Sequence, residues 1–162
     1  MDAVDLKIIE CLKANSRENA SAIGAQVNMS VSAVIDRIRK LESQGIIKQY
    51  TLVIDSEKLG LDITAYISVS MEHPRFNDRF IEFCKSNPNI VECHYITGDA
   101  DFLLKISTCS GKGLENLVNE IKSLGGISYT KTQVVLSTNK ENYCADLTEE
   151  VLNSGKKSGA LI

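Results

Sequence analysis

The spacing of apolar residues changes near residue 60 of this 162-residue chain. Before that point apolar residues recur every three or four positions, which is typical of amphipathic helices. After it, stretches of alternating apolar and polar residues, typical of strands, are separated by stretches with helical spacing. The pattern therefore predicts a helical N-terminal part followed by a mixed α+β part.

Three helices are predicted in the N-terminal part. The first covers residues 2–14, and an aspartate near its start favours the helix dipole. Residues 19–47 predict a short helix, a tight turn and a longer helix that ends at Gly45, a residue suited to the left-handed conformation after a helix. Asn19 and Ser30 precede the two apolar runs, so their side chains are predicted to cap these helices.

The longer helix has two faces of different character. Its apolar residues recur at helical spacing, and we expect all of them to face a core. The opposite face is small and polar near the helix start and cationic further along. Small residues let a backbone approach base edges and cations reach phosphates, so this face predicts a recognition helix in a major groove. The expected core residues are Val31, Val34, Ile38 and Leu41, and the expected DNA contacts are Ser30, Ser32, Ala33, Asp36, Arg37, Arg39 and Lys40.

Alternative interpretations of this helix stay open. The polar face is also what a solvated face on an ordinary helical hairpin looks like. Arg37 lies at the edge of the core face, where it either contacts phosphate or pairs with Asp36 or Glu42. The net charge of −3 and the pI near 5.4 argue against binding through bulk positive charge. Double-stranded DNA would have to be bound by locally placed cations and by several copies acting together.

Six elements are predicted beyond residue 60. Their order is that of a ferredoxin-like βαββαβ sandwich, with both helices on one face of an antiparallel sheet. The second and third strands look apolar on both sides, so the uncovered sheet face predicts self-association. The elements are a strand at Ile63–Met71, a helix at Arg75–Ser86, strands at Ile90–Thr97 and Phe102–Ser107, a helix at Gly111–Leu124 and a long strand at Ile127–Thr138.

The polar stretch at residues 55–60 ends in glycine and is the predicted boundary between two domains. The stretch before it, residues 46–54, is rich in β-branched residues and is predicted to be extended. The expected division is a helix-turn-helix domain of winged-helix-like type at residues 1–50, a linker strand and hinge at 51–61, a ferredoxin-like effector and oligomerisation domain at 62–140, and a tail at 141–162 with a short helix at Asp146–Leu152.

Several classes of protein are disfavoured by composition. The five cysteines form no Cys-x-x-Cys pair, so neither a disulfide framework nor a zinc ribbon is indicated, and Cys11, Cys84 and Cys109 are expected to be buried as small apolar residues. No apolar run approaches the ~18 residues of a membrane span. The acidic start lacks the features of a signal peptide. We therefore expect a cytoplasmic protein without a membrane partner.

The two halves together resemble the leucine-responsive regulatory protein family, also called Lrp/AsnC transcription regulators. The resemblance extends from residue 2 to about residue 138 and depends on the order and spacing of many residues. These are Asp2, Asp5, Leu6, Ile8 and Ile9, then Ser30, Val34, Arg37, Ile38, Leu41 and Glu42, then Gly45, Ile47, Tyr50, Leu59 and Gly60, and finally the turn at residues 97–101 with Gly126, Ile127, Thr130 and Thr132.

The resemblance implies a bacterial or archaeal regulator that forms dimers through its sheets and often assembles into octamers. It also implies that an amino-acid effector binds between neighbouring subunits beside the glycine-aspartate turn. Gly24 departs from the family, which usually has alanine there, and should loosen the second helix by roughly 1 kcal/mol. Ala100 stands where an aromatic residue is common, so one contact to an effector is absent.

The turn at residues 97–101 has two interpretations. Gly and Asp are what tight hairpin turns require. Alternatively, the backbone N–H groups meet the carboxylate of an amino acid and the aspartates meet its ammonium group, with threonine hydroxyls supplied by a neighbouring subunit. The expected effector contacts are Thr97, Gly98, Asp99, Ala100, Asp101, Thr130 and Thr132.

Two other functions are alternatives to an effector-responsive regulator. One is an architectural DNA-binding protein without a ligand. The other is an enzyme that holds a tetrapyrrole, as in the fold-related siroheme decarboxylases. Such a site needs histidines and an arginine cluster, whereas the second half of the chain offers only His73, His94, Arg75 and Arg79. We therefore expect no enzyme activity, no cofactor and no metal.

Overall fold

The computed structural model describes residues 1–144. It divides into two compact units, of which the first contains residues 1–53 and the second residues 54–141. The predicted tail helix at Asp146–Leu152 lies outside the described residues.

The first unit contains the three predicted helices. A side-chain oxygen accepts a hydrogen bond from a first-turn backbone N–H at the start of each helix, which stabilises donors that the helix itself cannot satisfy. Gly45 follows the last helix with a φ of +68°, in the left-handed conformation that was predicted. The helices are α1 (Ala3–Ala14), α2 (Ala20–Val27) and α3 (Val31–Ser43), capped by Asp2, Asn19 and Ser30.

The core of this unit is built from one or two buried side chains of each helix. Ile8, Ile23, Val34 and Leu41 are fully or almost fully buried and pack together. Val31 is 45% exposed, so the expectation that it faces the core is wrong. Side chains of a helix point back toward its N-terminus. Val31 is the first residue of α3, so its side chain projects past the packed part of the helix.

The segment after α3 forms no strand. Residues 48–55 have no regular secondary structure, although a strand was predicted there. A strand needs a partner for its backbone hydrogen bonds, and the described residues of the first unit contain no other strand. For the same reason the unit lacks the hairpin of a winged helix. Tyr50 is held instead by its hydroxyl, which donates a hydrogen bond to the Glu42 carboxylate at 3.0 Å.

The second unit has the predicted ferredoxin-like order. The elements are β1 (Ile63–Met71), α4 (Asn77–Ser86), β2 (Ile90–Tyr95), β3 (Phe102–Thr108), α5 (Gly111–Ser123) and β4 (Ile127–Val134). The four strands form one antiparallel sheet in the order β2-β3-β1-β4.

Both helices of this unit pack on one face of the sheet. Phe80 of α4 and Leu117 of α5 are buried in the same cluster as Ile67 of β1 and Leu104 of β3. Because the central strands β1 and β3 each alternate buried and less buried residues, one face of the sheet supplies the core and the other is left open.

The open face is more polar than predicted. The expectation that the second and third strands are apolar on both sides is wrong, because β2 and β3 place an ion-pair cluster there. Lys105 lies 3.7 Å from Glu92 and 3.0 Å from Glu141, and the His94 ring lies 3.0 Å from Glu92. Tyr66 of β1, which pairs with Lys105, adds an aromatic ring to this face.

Three predicted boundaries differ from the structure by two residues or more. β2 ends at Tyr95 rather than at Thr97, where the chain enters the hairpin turn. β4 ends at Val134 rather than at residue 138, because its last partner on β1 is Ala65, close to the start of that strand. The helix predicted from Arg75 begins as a short 3₁₀ turn at Pro74–Phe76 before α4. His73 precedes this turn, and its Nδ1 accepts a hydrogen bond from the Arg75 N–H at 3.1 Å.

Candidate functional site

The exposed face of α3 carries most of the predicted DNA contacts. Ser32, Asp36, Arg39 and Lys40 are all exposed, and Ala33 is half-buried beside them. The small residues lie in the first turn of the helix and the cations in its second half. The structure therefore brings these five predicted residues onto one accessible surface.

The turn before α3 fixes where that surface begins. The Ser30 hydroxyl accepts a hydrogen bond from the Ala33 N–H at 3.3 Å and lies 3.1 Å from the Ser32 hydroxyl. Asn28 has a φ of +55°, which an asparagine tolerates better than most residues. Ser30 is thus a cap first, and its hydroxyl hydrogen remains able to reach a phosphate.

Gly24 supports this turn by leaving room for it. The Met29 N–H donates a hydrogen bond to the Gly24 carbonyl at 3.0 Å. A Cβ added at Gly24 would lie 2.6 Å from the Met29 carbonyl oxygen, which is closer than such contacts occur. The glycine was expected to loosen α2. It also has a second effect: without a side chain at Gly24, the backbone at Met29 can pack closely against α2.

Arg37 is directed away from the exposed face of α3. Its guanidinium lies 2.7 Å from the Asp2 carboxylate and 2.6 Å from that of Asp5. The pairing with Asp36 or Glu42 that the sequence left open is wrong. Asp2 also accepts from the N–H of Asp5, and these contacts together hold the pKa of the Asp2 carboxyl below its usual value, with the backbone bond as the larger cause. Arg37 therefore fastens α3 to the N-terminus of α1.

One exposed residue of α3 was missed by the sequence reasoning. Val31 was assigned to the core by its periodicity, yet it lies beside Ser32 at the start of the helix and is exposed. Its position directly after the capping residue was the available signal, because the first residue of a helix projects past its packed part.

Charges on the α3 face partly offset one another. Arg39 lies 3.9 Å from Asp36, with both side chains more than 70% exposed. Such an exposed pair contributes little to stability. The Arg39 guanidinium therefore loses little if it turns toward a phosphate instead.

The hairpin turn between β2 and β3 is the second candidate region. Thr97, Gly98 and Asp99 are exposed, and Ala100 is half-buried. Gly98 has a φ of +119°, a conformation that favours glycine. The geometry of the hairpin turn is therefore enough to explain why a glycine stands at this position. The Asp99 carbonyl accepts a hydrogen bond from the Ser70 hydroxyl at 3.3 Å, and Asp99 itself is exposed.

Asp101 has a role inside the fold. Its carboxylate accepts a hydrogen bond from the Met71 N–H at 2.7 Å, at the point where the pairing of β1 with β4 shifts register. Its backbone N–H donates to the Val69 carbonyl, and its carbonyl accepts from the Ile96 N–H. The carboxylate thereby accepts a hydrogen bond from the Met71 N–H, a donor that the irregular strand pairing leaves without a backbone acceptor.

The two predicted threonines of β4 lie apart from this turn. Thr130 pairs with Val69 and Thr132 with Ile67, so both are on the helix-facing side of an edge strand. The turn belongs to the opposite neighbour of β1, so β1 separates the two by roughly 10 Å, two interstrand spacings. Within one chain the structure does not bring the threonines and the turn together.

Other site types find little support in the described part of the chain. Residues 1–144 contain no group of three or more His, Cys, Asp or Glu side chains placed to hold a metal ion. The same residues include no helix that is long and apolar enough to cross a membrane.

A helix-turn-helix unit followed by a ferredoxin-like unit defines a two-domain DNA-binding regulator. The chain belongs to the Lrp/AsnC family of transcription regulators. The AsnC-type helix-turn-helix domain matches residues 1–42, and the Lrp/AsnC ligand binding domain matches residues 64–144.

Individual relatives agree with this family. The chain is 36% identical over 137 residues to the HTH-type transcriptional regulator LrpC of Bacillus subtilis, a match that covers 85% of this chain and 92% of LrpC. It is 34% identical to LrpB of the same organism, covering 77% of this chain and 83% of LrpB. These relatives are transcription regulators and not enzymes, and the chain is accordingly a DNA-binding transcription regulator.

Solved structures show the same fold. The structure of Bacillus subtilis LrpC is similar with a TM-score of 0.78, covering 86% of this chain and 97% of that one. A transcriptional regulator of Neisseria meningitidis, solved as a complex with L-Met, is similar with a TM-score of 0.87 at 25% identity, covering 94% of this chain and 99% of that one.

Proposed function

We propose that this regulator reads DNA with the exposed face of α3. The observation that carries the proposal is the segregation of that helix: its buried side holds the three-helix core, while Ser32, Asp36, Arg39 and Lys40 share the exposed side. The start of a recognition helix contacts base edges in the known docking geometry, and cations further along contact the backbone.

Each residue of this face has a defined role in the proposal. Ser32 and Asp36 face base edges, where a carboxylate accepts from the cytosine amino group. Ala33 lets the helix backbone approach. Val31 offers an apolar contact for a thymine methyl group. Arg39 and Lys40, with the hydroxyl of Ser30, contact phosphates, and Arg37 positions α3 without touching DNA.

The test is a gel-shift titration with the regulator's own promoter region. The double variant Arg39→Glu/Lys40→Glu loses two phosphate contacts and adds two repulsions, so affinity should fall by roughly 100-fold or more at moderate salt. The matched control Lys112→Glu/Lys122→Glu changes the net charge equally but lies on α5. Unchanged affinity of the first variant, or an equal loss in both, would reject α3 as the DNA-contacting helix.

We further propose that an amino acid is the effector and that it binds at the turn between β2 and β3. The exposed N–H groups near Gly98 suit its carboxylate, and the carboxylate of the exposed residue Asp99 suits its ammonium group. Asp101 is committed to the Met71 N–H and positions the turn. Thr130 and Thr132 would then have to come from a neighbouring subunit. The L-Met complex of the Neisseria relative supports this ligand class.

A thermal-shift screen of the twenty amino acids tests the effector. Binding to the native state should raise the melting temperature, and the shift should grow with ligand concentration. Asp99→Ala should remove the shift, whereas Asp62→Ala, an exposed acid at the other end of β1, should retain it. No shift with any amino acid would instead favour the ligand-independent architectural protein.

Self-association completes the proposal. The segment from Tyr50 to Ile54 belongs to no strand and is largely apolar, with Leu52 82% exposed. A second copy would supply the strand partner that this segment lacks within its own unit, and the open sheet face offers Tyr66 and Tyr129. We propose a dimer that can assemble further to an octamer and acts on chromosomal DNA in the cytoplasm. A monomer mass by light scattering at micromolar concentration would contradict it.

A further inference from the structure

Two cysteines of the second unit have no role in DNA or effector binding. Cys84 lies near the end of α4 and is 3% exposed, within the core cluster. Cys93 lies in the middle of the edge strand β2 and is exposed. Both line one surface cavity of about 260 Å³, between the end of α4 and β2.

The alternation of β2 places the Cys93 side chain on the helix-facing side. Its neighbours Glu92 and His94 interact with each other on the open face. Tyr95 shares the side of Cys93, and its ring lies 5.2 Å from that of the buried Phe102. Successive strand residues point to opposite faces, so Cys93 is directed toward the helices that pack there.

Each of the two thiols affects the pKa of the other. Burial raises the pKa of the Cys84 thiol, and the Cys93 thiol raises it further as its neighbour and hydrogen-bond partner. Burial also raises the pKa of Cys93, while the hydrogen bond with Cys84 acts in the opposite direction. The two cysteines are nine residues apart, and the short connection of three residues between α4 and β2 places both of them at the same cavity.

We propose that Cys84 and Cys93 form a redox-active dithiol, which a low-molecular-weight disulfide such as oxidised glutathione converts into an intramolecular disulfide between α4 and β2. Buried and exposed thiols differ in access, so the two sulfurs have different roles in this reaction. The exposed sulfur of Cys93 reacts first, and the sheltered sulfur of Cys84 resolves the intermediate.

The reaction is a pair of thiol–disulfide exchanges. The Cys93 thiolate attacks one sulfur of the oxidant, breaks its S–S bond and releases one thiolate, leaving a mixed disulfide at Cys93. The Cys84 thiol then gives up its proton and its sulfur attacks the Cys93 sulfur, releasing the second small thiolate. The protein loses two electrons and two protons, and the oxidant gains them as two thiols.

The cross-link would fasten the edge strand β2 to α4. Only Ile96 separates the end of β2 from the turn at residues 97–101, so oxidation would restrict the strand that carries the proposed effector turn. This coupling to the effector depends on the proposed function, whereas formation of the disulfide does not.

Peptide mapping of the full-length protein tests the proposal. The protein is incubated with oxidised glutathione, remaining thiols are blocked with an alkylating reagent, and tryptic peptides are analysed without reduction. The expected product joins the peptides 80–85 and 86–105 and is two hydrogens lighter than their sum. Because both thiols are largely protonated near neutral pH, its rate of formation should rise by well over tenfold between about pH 7 and about pH 9. A reductant should remove it.

Variants separate the two roles. A Cys109→Ser/Cys144→Ser background removes two exposed thiols and should still form the cross-link at the same rate. On that background Cys84→Ala should accumulate glutathione on Cys93, because the resolving thiol is absent, while Cys93→Ser should take up none at Cys84. A persistent glutathione adduct on Cys93 in the presence of Cys84, or a cross-link only between different chains, would overturn the proposal.

Discussion

The two turns beside the candidate sites use polar residues in opposite ways. At the turn before α3, Ser30 caps the helix with its hydroxyl, and the face that follows stays exposed. At the turn between β2 and β3, the Asp101 carboxylate returns into the fold and satisfies the Met71 N–H. The residue types that bind a ligand are also the ones that tight turns require. A side chain that already has a hydrogen-bond partner inside the fold stabilises the turn, whereas one without such a partner is available to a ligand.

Glycines differ between the two turns as well. Gly98 is needed for its own conformation, with positive φ at the hairpin. Gly24 lies inside α2, four residues before the turn begins, and is needed because the Met29 carbonyl approaches it. The first requirement is local and the second is a packing contact. Only the first can be recognised from neighbouring residues.

Removing the Asp101 carboxylate should have the largest effect on stability. Asp101→Ala leaves the part-buried Met71 N–H without its acceptor, which should lower the free energy of unfolding by about 2 kcal/mol. Urea denaturation followed by circular dichroism measures the change. Asp99→Ala, at the exposed end of the same turn, should change stability by less than about 0.5 kcal/mol.

Asp101→Asn provides the conservative control, because its side-chain carbonyl can still accept the Met71 hydrogen bond. Most of the stability should be retained in this variant. If Asp99→Ala lowered the free energy of unfolding as much as Asp101→Ala, the distinction between the hydrogen-bonded carboxylate of Asp101 and the exposed one of Asp99 would be wrong.

A methyl group at Gly24 should have a smaller, destabilising effect. Alanine is the better helix former by about 1 kcal/mol, yet the added Cβ would overlap the Met29 carbonyl, and such overpacking costs roughly 1–3 kcal/mol. The expected net loss is about 1 kcal/mol. Gly113→Ala in α5 is the matched control, since its Cβ would meet only ordinary contacts of 3.4 Å or more, and it should stabilise the protein.

Thermal denaturation of the two glycine variants gives the comparison directly, with the melting temperature falling for Gly24→Ala and rising for Gly113→Ala. A rise in both would mean that helix propensity outweighs the close approach at the turn. The turn before α3 would then adjust to make room for the added methyl group.

Much of the fold could be predicted because the spacing of apolar residues along the chain indicates which positions are buried. The strand at Ile63–Met71 and the caps Asn19 and Ser30 follow from alternation and from residues that precede apolar runs. The unpaired segment at residues 48–55 was misjudged because β-branched residues indicate an extended conformation but not the partner that a strand requires.

The candidate site was predicted only in part, for a related reason. A helical projection places residues on faces but does not reveal which charges lie opposite. Arg37 pairs with residues more than thirty positions away, and only the packing of α1 against α3 brings them together. The polarity of the open sheet face was missed similarly, because Glu92 and Lys105 meet across strands.

Arg37 and Arg39 give the finest contrast, since two arginines of one helix are assigned different roles. Arg37→Ala should lower the denaturant midpoint slightly, by less than Gly24→Ala does, because it releases the Asp2 and Asp5 carboxylates. Arg39→Ala should leave the midpoint unchanged and weaken DNA binding severalfold, with a shallower salt dependence. Denaturation and gel-shift titrations on the same two variants separate the roles.

Acid provides an independent check on Arg37. The folded-state pKa of Asp2 is depressed, so its contribution is present above the unfolded pKa and is lost as the pH falls through the folded value. Arg37 causes part of that depression. The midpoints of wild type and Arg37→Ala should therefore differ at neutral pH and converge as the pH falls below about 4, the usual range of a carboxyl group. A difference that persisted in acid would show that Arg37 stabilises α3 by packing and not by its charge.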